Sequence, residues 1–345
     1  MKTQIYATFG PACKEEHILK RMIKAGMTGM RLNLSHTTLL ESEDYIYTYQ
    51  KVAKECGVKP QILIDMQGPE LRIGNLKQPI FLKEEEELIL AKEEVIVKGS
   101  FFNGGELLDK TIIPIPKIVI KETLIEDELL LDDGKIKVKV VEASNDFLKG
   151  IVLRGGSLAG RKSIKNVNRT IKMPVLTEHD VENIRLAKKY GITALMQPFV
   201  LNGEDLEYVR TILRQYGAED ILIFAKIENQ IGVKNLEQIL PNADVLIIAR
   251  GDLGNDMPLW ELPRVQKEIE IICKKYNKPY IVVTQMLASM EQNPIPTRAE
   301  VSDIFHAVYH GAYGVMITGE SAIGKYPVEA VAYLANTAKE AENVI

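Results

Sequence analysis

The feature that most constrains the fold is a series of eight short apolar runs, rich in β-branched residues, that recur along the chain. They occupy residues 5–10, 29–35, 61–66, 193–199, 222–228, 244–250, 280–285 and 314–320. Near-continuous apolar runs of this kind are typical of parallel strands that are buried on both faces. Eight parallel strands are the number that closes an α/β barrel.

Helical patterns lie between most of these runs. Residues 15–26 place Ile18, Leu19, Met22 and Ile23 on one helical face. The segments "TEHD" (177–180) and "TRAE" (297–300) each have the form of a capping box, in which a Thr N-cap is followed three residues later by an acid. Strands that alternate with helices predict the α/β class and, with eight strands, a (β/α)8 TIM barrel.

A long interruption separates the third and fourth predicted strands. Residues 68–163 contain β-type runs such as "ELILA" (87–91) and "IKVKVVE" (136–142), and no convincing long helix. The segment is much longer than an ordinary loop between a strand and a helix. We therefore predict a barrel in two parts, 1–67 and 164–345, with a small all-β, barrel-like lid domain (68–163) inserted between strand 3 and helix 3.

Composition excludes several classes of function. The net charge of −4 comes without the basic stripe that nucleic-acid binding needs. No apolar run reaches the 18 residues of a membrane span. The three cysteines are far apart and lack C-x-x-C spacing, which argues against a disulfide framework or a zinc site. These observations favour a cytoplasmic protein that holds anionic ligands through local basic groups.

Polar residues concentrate where the predicted strands end, which is where barrels of this type carry their active sites. They are Arg31, Asn33 and Ser35 on strand 2, Asp65 on strand 3, Lys226 and Glu228 on strand 5, Arg250 and Asp252 after strand 6, Thr284 on strand 7, and Thr318 and Glu320 on strand 8. Two carboxylates such as Glu228 and Asp252 suit Mg²⁺, which takes one or two carboxylates together with substrate oxygens. With Arg31 and Lys226 nearby, this set suits a phosphate bridged by a metal ion, as phosphoryl transfer requires.

Each of these residues also has a purely structural interpretation. A Lys226–Glu228 pair standing alone is more often a structural ion pair. Asn33 and Ser35 can cap a helix, and Asp252 can be an ordinary turn residue. The number of polar clusters at strand ends favours the functional interpretation.

The chain resembles the pyruvate kinase family along nearly its whole length. The resemblance rests on "TFGPAC" (8–13), "AGMTGMRLNLSH" (25–36), "DMQGPELRIG" (65–74), "DDGKI" (132–136), "KIENQIGVKNL" (226–236), "ARGDLG" (249–254), "TQMLASM" (284–290), "NPIPTRAEVSDI" (293–304) and "TGESAIGKYPVEAV" (318–331). It implies a phosphotransferase that converts phosphoenolpyruvate and ADP to pyruvate and ATP, assisted by Mg²⁺ (or Mn²⁺) and K⁺. It implies that the partners are these small molecules. It leaves open whether the chain forms a homo-oligomer through its barrel surfaces.

The resemblance also implies roles for individual residues. Lys226 would neutralise the moving phosphoryl group, Arg31 would hold the phosphate, and Thr284 would help deliver a proton. The remaining implied ligands are Glu228 and Asp252 for Mg²⁺; Asn33, Ser35, Asp65 and the Met66 carbonyl for K⁺; the amides of Gly251 and Asp252 for the substrate carboxylate; and His36, Arg72, Lys162 and Asp133 for the nucleotide.

Several positions depart from the family pattern. Met66 and Gln67 replace a Thr-Lys pair, Pro198 replaces a serine, and Leu201 replaces an arginine. The chain ends at "AENVI" after the eighth predicted helix, so no counterpart of the family's usual C-terminal domain or its effector site is expected. Two alternatives therefore stay open: a Mg²⁺-dependent lyase or aldolase acting on a pyruvate enolate, and a catalytically impaired paralogue that binds ligands.

Overall fold

The computed structural model describes residues 2–35, 37–94, 102–103, 106–107, 111–169, 171 and 173–345. The chain forms two compact units. The barrel unit comprises Met1–Pro69 and Pro174–Ile345, and the inserted unit comprises Glu70–Met173. The division predicted from the sequence, at 67/68 and 163/164, stays a prediction. His36, which is predicted to face the nucleotide, lies outside the described residues.

The strands are short in the barrel unit, with at most six residues, and reach eight residues in the inserted unit. In chain order they are β1 (Gln4–Thr8), β2 (Gly29–Asn33), β3 (Ile62–Asp65), β4 (Ile80–Leu82), β5 (Glu87–Ala91), β6 (Phe102–Asn103), β7 (Glu106–Leu107), β8 (Thr111–Pro114), β9 (Glu128–Leu131), β10 (Ile136–Ala143), β11 (Phe147–Arg154), β12 (Gly156–Leu158), β13 (Ile164–Asn166), β14 (Ala194–Gln197), β15 (Leu222–Ile227), β16 (Val245–Ala249), β17 (Tyr280–Val283) and β18 (Gly314–Met316).

The α-helices are longest in the barrel unit. In chain order they are α1 (Glu16–Lys24), α2 (Glu43–Glu55), α3 (Lys117–Glu122), α4 (Glu178–Ala187), α5 (Gly203–Gln215), α6 (Gln230–Lys234), α7 (Leu236–Ile239), α8 (Arg250–Asn255), α9 (Leu262–Lys275), α10 (Arg298–Tyr309), α11 (Gly319–Ala322) and α12 (Pro327–Glu342). Within the described residues, no helix is both long and apolar enough to cross a membrane.

A closed parallel barrel is the centre of the larger unit. Its strands follow the order β1-β18-β17-β16-β15-β14-β3-β2 and pair in parallel. This confirms the predicted α/β barrel. Along β16, Ile247 belongs to one buried cluster, whereas its neighbours Leu246 and Ile248 belong to another. Because successive strand residues point to opposite faces, one cluster fills the barrel and the other packs against the helices.

Capping boxes begin the helices α4, α5 and α10. The N-cap residues Thr177 and Thr297 each accept a hydrogen bond from the amide three residues later, and the acid at that position accepts one in return. These are the two capping boxes that the sequence predicts. Asn202 and Asp205 form a third capping box, at α5, in which the N-cap is Asn and not Thr.

Asp180, the acid of the first capping box, has a second set of partners. Its side chain is fully buried. The amides of Gln67 and Gly68 donate hydrogen bonds to it at 2.8 and 3.1 Å, and the amide of Thr177 donates one at 2.9 Å. One carboxylate therefore holds the segment after β3 and the segment before α4 together, although more than a hundred residues separate them along the chain.

The inserted unit is built on a six-stranded sheet. Its strand order is β13-β9-β10-β11-β5-β8, and its pairs are antiparallel except for the parallel pair β5–β8. The alternation along β10 is regular, with Ile136, Val138 and Val140 buried and the residues between them more exposed. These side chains join a separate apolar core, so the inserted unit has its own interior.

Candidate active site

Three charged side chains meet at the C-terminal ends of β2, β3 and β15. Arg31 donates to Asp65 Oδ2 from Nε at 2.9 Å and from Nη2 at 2.7 Å. Lys226 Nζ lies 3.3 Å from Asp65 Oδ1. Burial of Asp65 works to raise its pKa, but the charges of Lys226 and Arg31 outweigh that effect and lower it. Asp65 is therefore a buried anion that orients two cations toward the barrel rim.

Lys226 also contacts Glu228, the residue two positions further along the chain. Its Nζ lies 2.8 Å from Glu228 Oε1, and both side chains are largely buried. Burial alone would lower the pKa of Lys226, but the charges of Asp65, Glu228 and Asp252 together raise it. These three carboxylates thus keep the ammonium group in its charged form.

Glu228 has the environment of a cation ligand. Its Oε2 accepts a hydrogen bond from the amide of Phe199 at 2.8 Å. Within the described part of the chain its Oε1 accepts no hydrogen bond of good geometry, although Lys226 Nζ lies close to it. Burial raises the pKa of Glu228 to about 7, and Lys226 opposes that rise while Asp252 adds to it. Glu228 is thus a buried carboxylate with one oxygen held by a backbone amide and the other facing the Lys226 ammonium, and a hard oxygen ligand of this kind can also coordinate Mg²⁺.

Asp252, the other predicted Mg²⁺ ligand, lies in the first turn of α8, directly after β16. Its charge acts on both Lys226 and Glu228, so the two carboxylates are close enough to influence each other. Across the described ranges, no group of three or more His, Cys, Asp or Glu side chains is arranged to hold a metal. Glu228 and Asp252 could therefore hold Mg²⁺ only together with oxygens from substrate or water.

The predicted K⁺ ligands lie on β2 and β3 or directly after them. Asn33 and Asp65 are directly paired across these two strands. Asn33 Oδ1 accepts a hydrogen bond from the amide of Ser35 at 3.1 Å, which orients the turn after β2. Met66 follows Asp65, and its amide donates to the carbonyl of Met196 at 3.1 Å. These oxygen donors suit a hard monovalent cation, and Asp65 would share its charge among that cation, Arg31 and Lys226.

Thr284 has an unusual backbone conformation. Its φ is 75° and that of the next residue, Gln285, is 53°, so both lie in the left-handed region. For Thr284, which is β-branched, such a φ is a genuine outlier. Its Oγ1 donates to the Val283 carbonyl at 2.5 Å and accepts from the amide of Gly251 at 2.9 Å. Gly251 is one of the residues predicted to bind the substrate carboxylate, and the structure places its amide against the threonine hydroxyl.

The remaining predicted nucleotide ligands lie in the inserted unit and are close to one another. Arg72 Nη2 lies 2.6 Å from Glu70, and Arg72 pairs with Ser163 in a β-bridge. Lys162 Nζ lies 3.0 Å from the buried Asp132. The hydroxyl of Ser163 donates to Asp133 Oδ1 at 2.8 Å. The inserted unit therefore brings together Arg72, Lys162 and Asp133, although about 90 residues separate the first two.

Comparison with known proteins identifies the family of the chain. Residues 1–331 match the family model for the pyruvate kinase barrel domain. The chain belongs to the pyruvate kinase family. It is 38% identical over 343 residues to a pyruvate kinase of Staphylococcus epidermidis and 38% identical over 349 residues to one of Staphylococcus aureus. These alignments cover 99% of this chain and 57% of each relative, so the chain spans little more than half the length of the relatives.

Three of the positions that depart from the family pattern, Gln67, Pro198 and Leu201, make local contacts. Gln67 Oε1 accepts from the Thr177 hydroxyl at 3.4 Å, beside the Asp180 carboxylate. The ring of Pro198 fills the space next to Gly68, where a Cβ atom would overlap its Cγ. The Leu201 amide donates to Asp205 at 2.8 Å. Gln67 and Pro198 thus have side-chain contacts near the strand ends, whereas the bond of Leu201 comes from its backbone and would form with any residue except proline.

Sequence reasoning missed three residues that position the site. Thr8 Oγ1 accepts from Arg31 Nη1 at 3.0 Å. The amide of Phe199 holds Glu228, and Asp180 holds the loop after β3. The end of β1 could have suggested Thr8, because it is a polar residue at a strand end. Phe199 contributes only its backbone, which no side-chain pattern indicates.

Proposed function

We propose that this chain is a cytoplasmic pyruvate kinase that converts phosphoenolpyruvate and ADP to pyruvate and ATP. The observation that carries the proposal is the position of Lys226, whose buried ammonium lies 2.8 Å from Glu228 and 3.3 Å from Asp65. Catalysis of phosphoryl transfer depends on positioning and on positive charge around the transferred group. A lysine kept charged in a buried site at the barrel rim meets that requirement.

The chemistry divides into two steps. First, an oxygen of the ADP β-phosphate attacks the phosphorus, and the bond from phosphorus to the enol oxygen breaks. Lys226 and Arg31 stabilise the negative charge on the phosphoryl oxygens during this transfer. The enolate of pyruvate then takes a proton at C3, which Thr284 helps to deliver, through water. The amides of Gly251 and Asp252 would bind the substrate carboxylate and keep C3 in place. The Gly251 amide, which donates to Thr284 Oγ1 at 2.9 Å, would share or replace that bond when substrate binds.

Two cations complete the proposal. Glu228 and Asp252 would hold Mg²⁺ (or Mn²⁺), and the oxygens of Asn33, Ser35, Asp65 and Met66 would hold K⁺. When bound, these ions add positive charge around the phosphoryl group. Arg72, Lys162 and Asp133 of the inserted unit would bind the nucleotide, and the role of His36 stays a prediction from the sequence. A homo-oligomer formed through barrel surfaces stays a prediction.

The first experiment measures pyruvate formation from phosphoenolpyruvate and ADP with Mg²⁺ and K⁺ present. We expect turnover that is lost when Mg²⁺ is omitted and reduced when Na⁺ replaces K⁺. Absence of pyruvate above background, from protein with a cooperative melting transition, would contradict the proposal. Metal-dependent ligand binding without turnover would support the impaired paralogue. Stabilisation by pyruvate or oxalate, but not by ADP or ATP, would support the lyase.

A second experiment tests the metal ligands without relying on activity. Binding of Mn²⁺ is followed by electron paramagnetic resonance for the parent and for Glu228→Gln. Loss of a carboxylate from a two-carboxylate site should weaken Mn²⁺ binding by about 10-fold or more. The matched control is Glu270→Gln, because Glu270 is another buried glutamate and is held by Gln266, Lys267 and His310. Equal Mn²⁺ affinity in parent and Glu228→Gln would remove Glu228 from the metal site.

A further inference from the structure

Arg250 is a strand-end residue for which the proposed mechanism has no role. It is the first residue of α8, and only 10% of its side chain is exposed. Its guanidinium faces the backbone of Thr284, to whose carbonyl it donates from Nη2 at 2.7 Å and from Nε at 3.3 Å. A nearly buried arginine fork is therefore directed at one peptide group of the neighbouring strand end.

The rest of the guanidinium is fixed from the opposite side. Its Nη1 donates to Asp303 on α10 at 2.6 Å, and its Nη2 also contacts the sulfur of Met286 at 2.9 Å. Because a guanidinium is planar and presents its donors in a rigid fork, contacts on both sides fix its orientation as well as its position. A helix of the outer ring thus determines the position of a group at the barrel rim.

The peptide that Arg250 holds is the one with unfavourable backbone geometry. Thr284 and Gln285 both have positive φ, and neither is a glycine. Such conformations persist only where the surroundings over-determine them. On the other side of this turn, the amide of Leu287 donates to the buried Glu320 at 3.0 Å. The segment 284–287 is therefore held at its first carbonyl by a cation and at its last amide by an anion.

We propose that Arg250, oriented by Asp303, is a positioning residue that keeps Thr284 in its left-handed conformation. It thereby holds the threonine hydroxyl between the Val283 carbonyl and the Gly251 amide, the position from which it helps to deliver a proton through water to C3. Arg250 acts through the Thr284 backbone and does not itself touch substrate. This proposal rests on the proposed function, because Thr284 has its role only if the enolate of pyruvate is protonated here. It predicts that Arg250 affects proton transfer more than ligand binding.

The test compares Arg250→Met, Arg250→Lys and Asp303→Asn with the parent chain. Exchange of the C3 protons of pyruvate with deuterium from solvent, in the presence of ATP, Mg²⁺ and K⁺, is followed by nuclear magnetic resonance. Arg250→Met should slow this exchange by about 10²-fold, the loss expected when a reacting group is misplaced by about 1 Å. The KM values for phosphoenolpyruvate and ADP should stay near those of the parent. Arg250→Lys and Asp303→Asn should show intermediate losses.

The matched control is Arg264→Met. Arg264 also pairs with two carboxylates, Glu261 and Glu268, but it is exposed on α9. Exchange in this control should match the parent. The proposal is overturned if Arg250→Met exchanges protons as fast as the control, or if its defect is confined to KM.

A structural readout separates this proposal from the proposed function. In a crystal structure of Arg250→Met, the φ of Thr284 should leave the left-handed region, and an unchanged φ would overturn the proposal even in an inactive protein. If Arg250→Met does not fold, Arg250→Lys is crystallised instead.

Adding Gln285→Gly should restore part of the lost exchange, because glycine adopts positive φ at little cost. If the parent neither forms pyruvate nor exchanges the C3 protons of pyruvate, the proposed function is wrong. The φ of Thr284 in Arg250→Met would still test whether Arg250 holds the Thr284 backbone.

Discussion

The amide of Phe199 donates a hydrogen bond to Glu228 Oε2 at 2.8 Å, from a residue whose φ is 52°. The segment after β14 therefore passes through the left-handed region at the residue whose N–H group meets a buried carboxylate directly after β15. That turn has an energetic cost, because a residue with a Cβ atom is disfavoured in this conformation by about 1–2 kcal/mol.

We expect Phe199→Gly to be more stable than Phe199→Ala by about 1 kcal/mol, since both truncate the ring but only glycine removes the cost of positive φ. The free energy of unfolding from urea titrations measures the difference. Position 182 on α4 provides the control, because Glu182 is helical and exposed and there Ala should be more stable than Gly by about 1 kcal/mol. The same order at both positions would contradict the strain argument.

Lys226→Met should reduce pyruvate formation by about 10³-fold or more, because a cation that stabilises the transferred phosphoryl group is lost. It should also lower the free energy of unfolding by about 3 kcal/mol, since Asp65 and Glu228 lose a partner in a buried site. Steady-state kinetics and urea unfolding measure the two effects. Lys275→Met serves as the control, because Lys275 pairs with Glu237 at the exposed surface. Turnover within about tenfold of the parent would remove Lys226 from the chemistry.

Gly68→Ala should destabilise the barrel by about 2 kcal/mol or more, through overlap with the Pro198 ring and through its φ of 61°. Pro198→Ser replaces the ring by the residue usual in the family. The double variant should therefore lose less free energy of unfolding than the sum of the losses in the two single variants. A double-mutant cycle on the free energy of unfolding measures this coupling. Strict additivity of the two substitutions would show that Gly68 and Pro198 do not interact.

The stability of the inserted unit should depend on pH through Asp127. Burial works to raise the pKa of this carboxyl, but hydrogen bonds from the Leu124 amide, Asn166 and Arg169 outweigh burial and lower it. A carboxyl with a lowered pKa stabilises the fold above its unfolded pKa of about 4, and that contribution is lost as pH falls below it.

Asp127→Asn should therefore make the inserted unit less stable at pH 7, and the difference from the parent should shrink as the pH is lowered toward 3. Hydrogen exchange of amides in residues 111–169, measured by mass spectrometry, reports on this unit. Asp146→Asn is the control, since Asp146 pairs with Lys92 but is more than half exposed. If the difference in stability between the parent and Asp127→Asn did not change with pH, ionisation of Asp127 would not be its cause.

The sequence predicted the barrel because eight runs are apolar on both faces and most of them alternate with helical patterns. The pattern and the structure therefore depend on the same burial. It also predicted that Arg31, Asp65 and Lys226 gather at one rim, since parallel strands bring their C-terminal ends together. It could not predict the hydrogen bonds of Phe199 or the φ of Thr284, because these depend on backbone conformations that packing between neighbouring strand ends imposes.

Some residues carry a local sequence signal and also make long-range contacts that the signal does not indicate. The capping box at Thr177 and Asp180 was predicted from its spacing, which is local. The bonds from Asp180 to Gln67 and Gly68 join segments more than a hundred residues apart, and no local spacing indicates them. The same limit applies to Arg250, which the sequence places at a strand end but whose carbonyl partner, Thr284, lies just after the neighbouring strand β17.

The bonds made by Asp180 have a consequence for how the barrel could be altered. Because one carboxylate holds Gln67, Gly68 and Thr177 together, the barrel itself fixes the two points at which the chain leaves and re-enters it. A few residues of linker could join those points. The insertion is thus a removable module, and a shortened chain lacking it should still close the eight-stranded barrel.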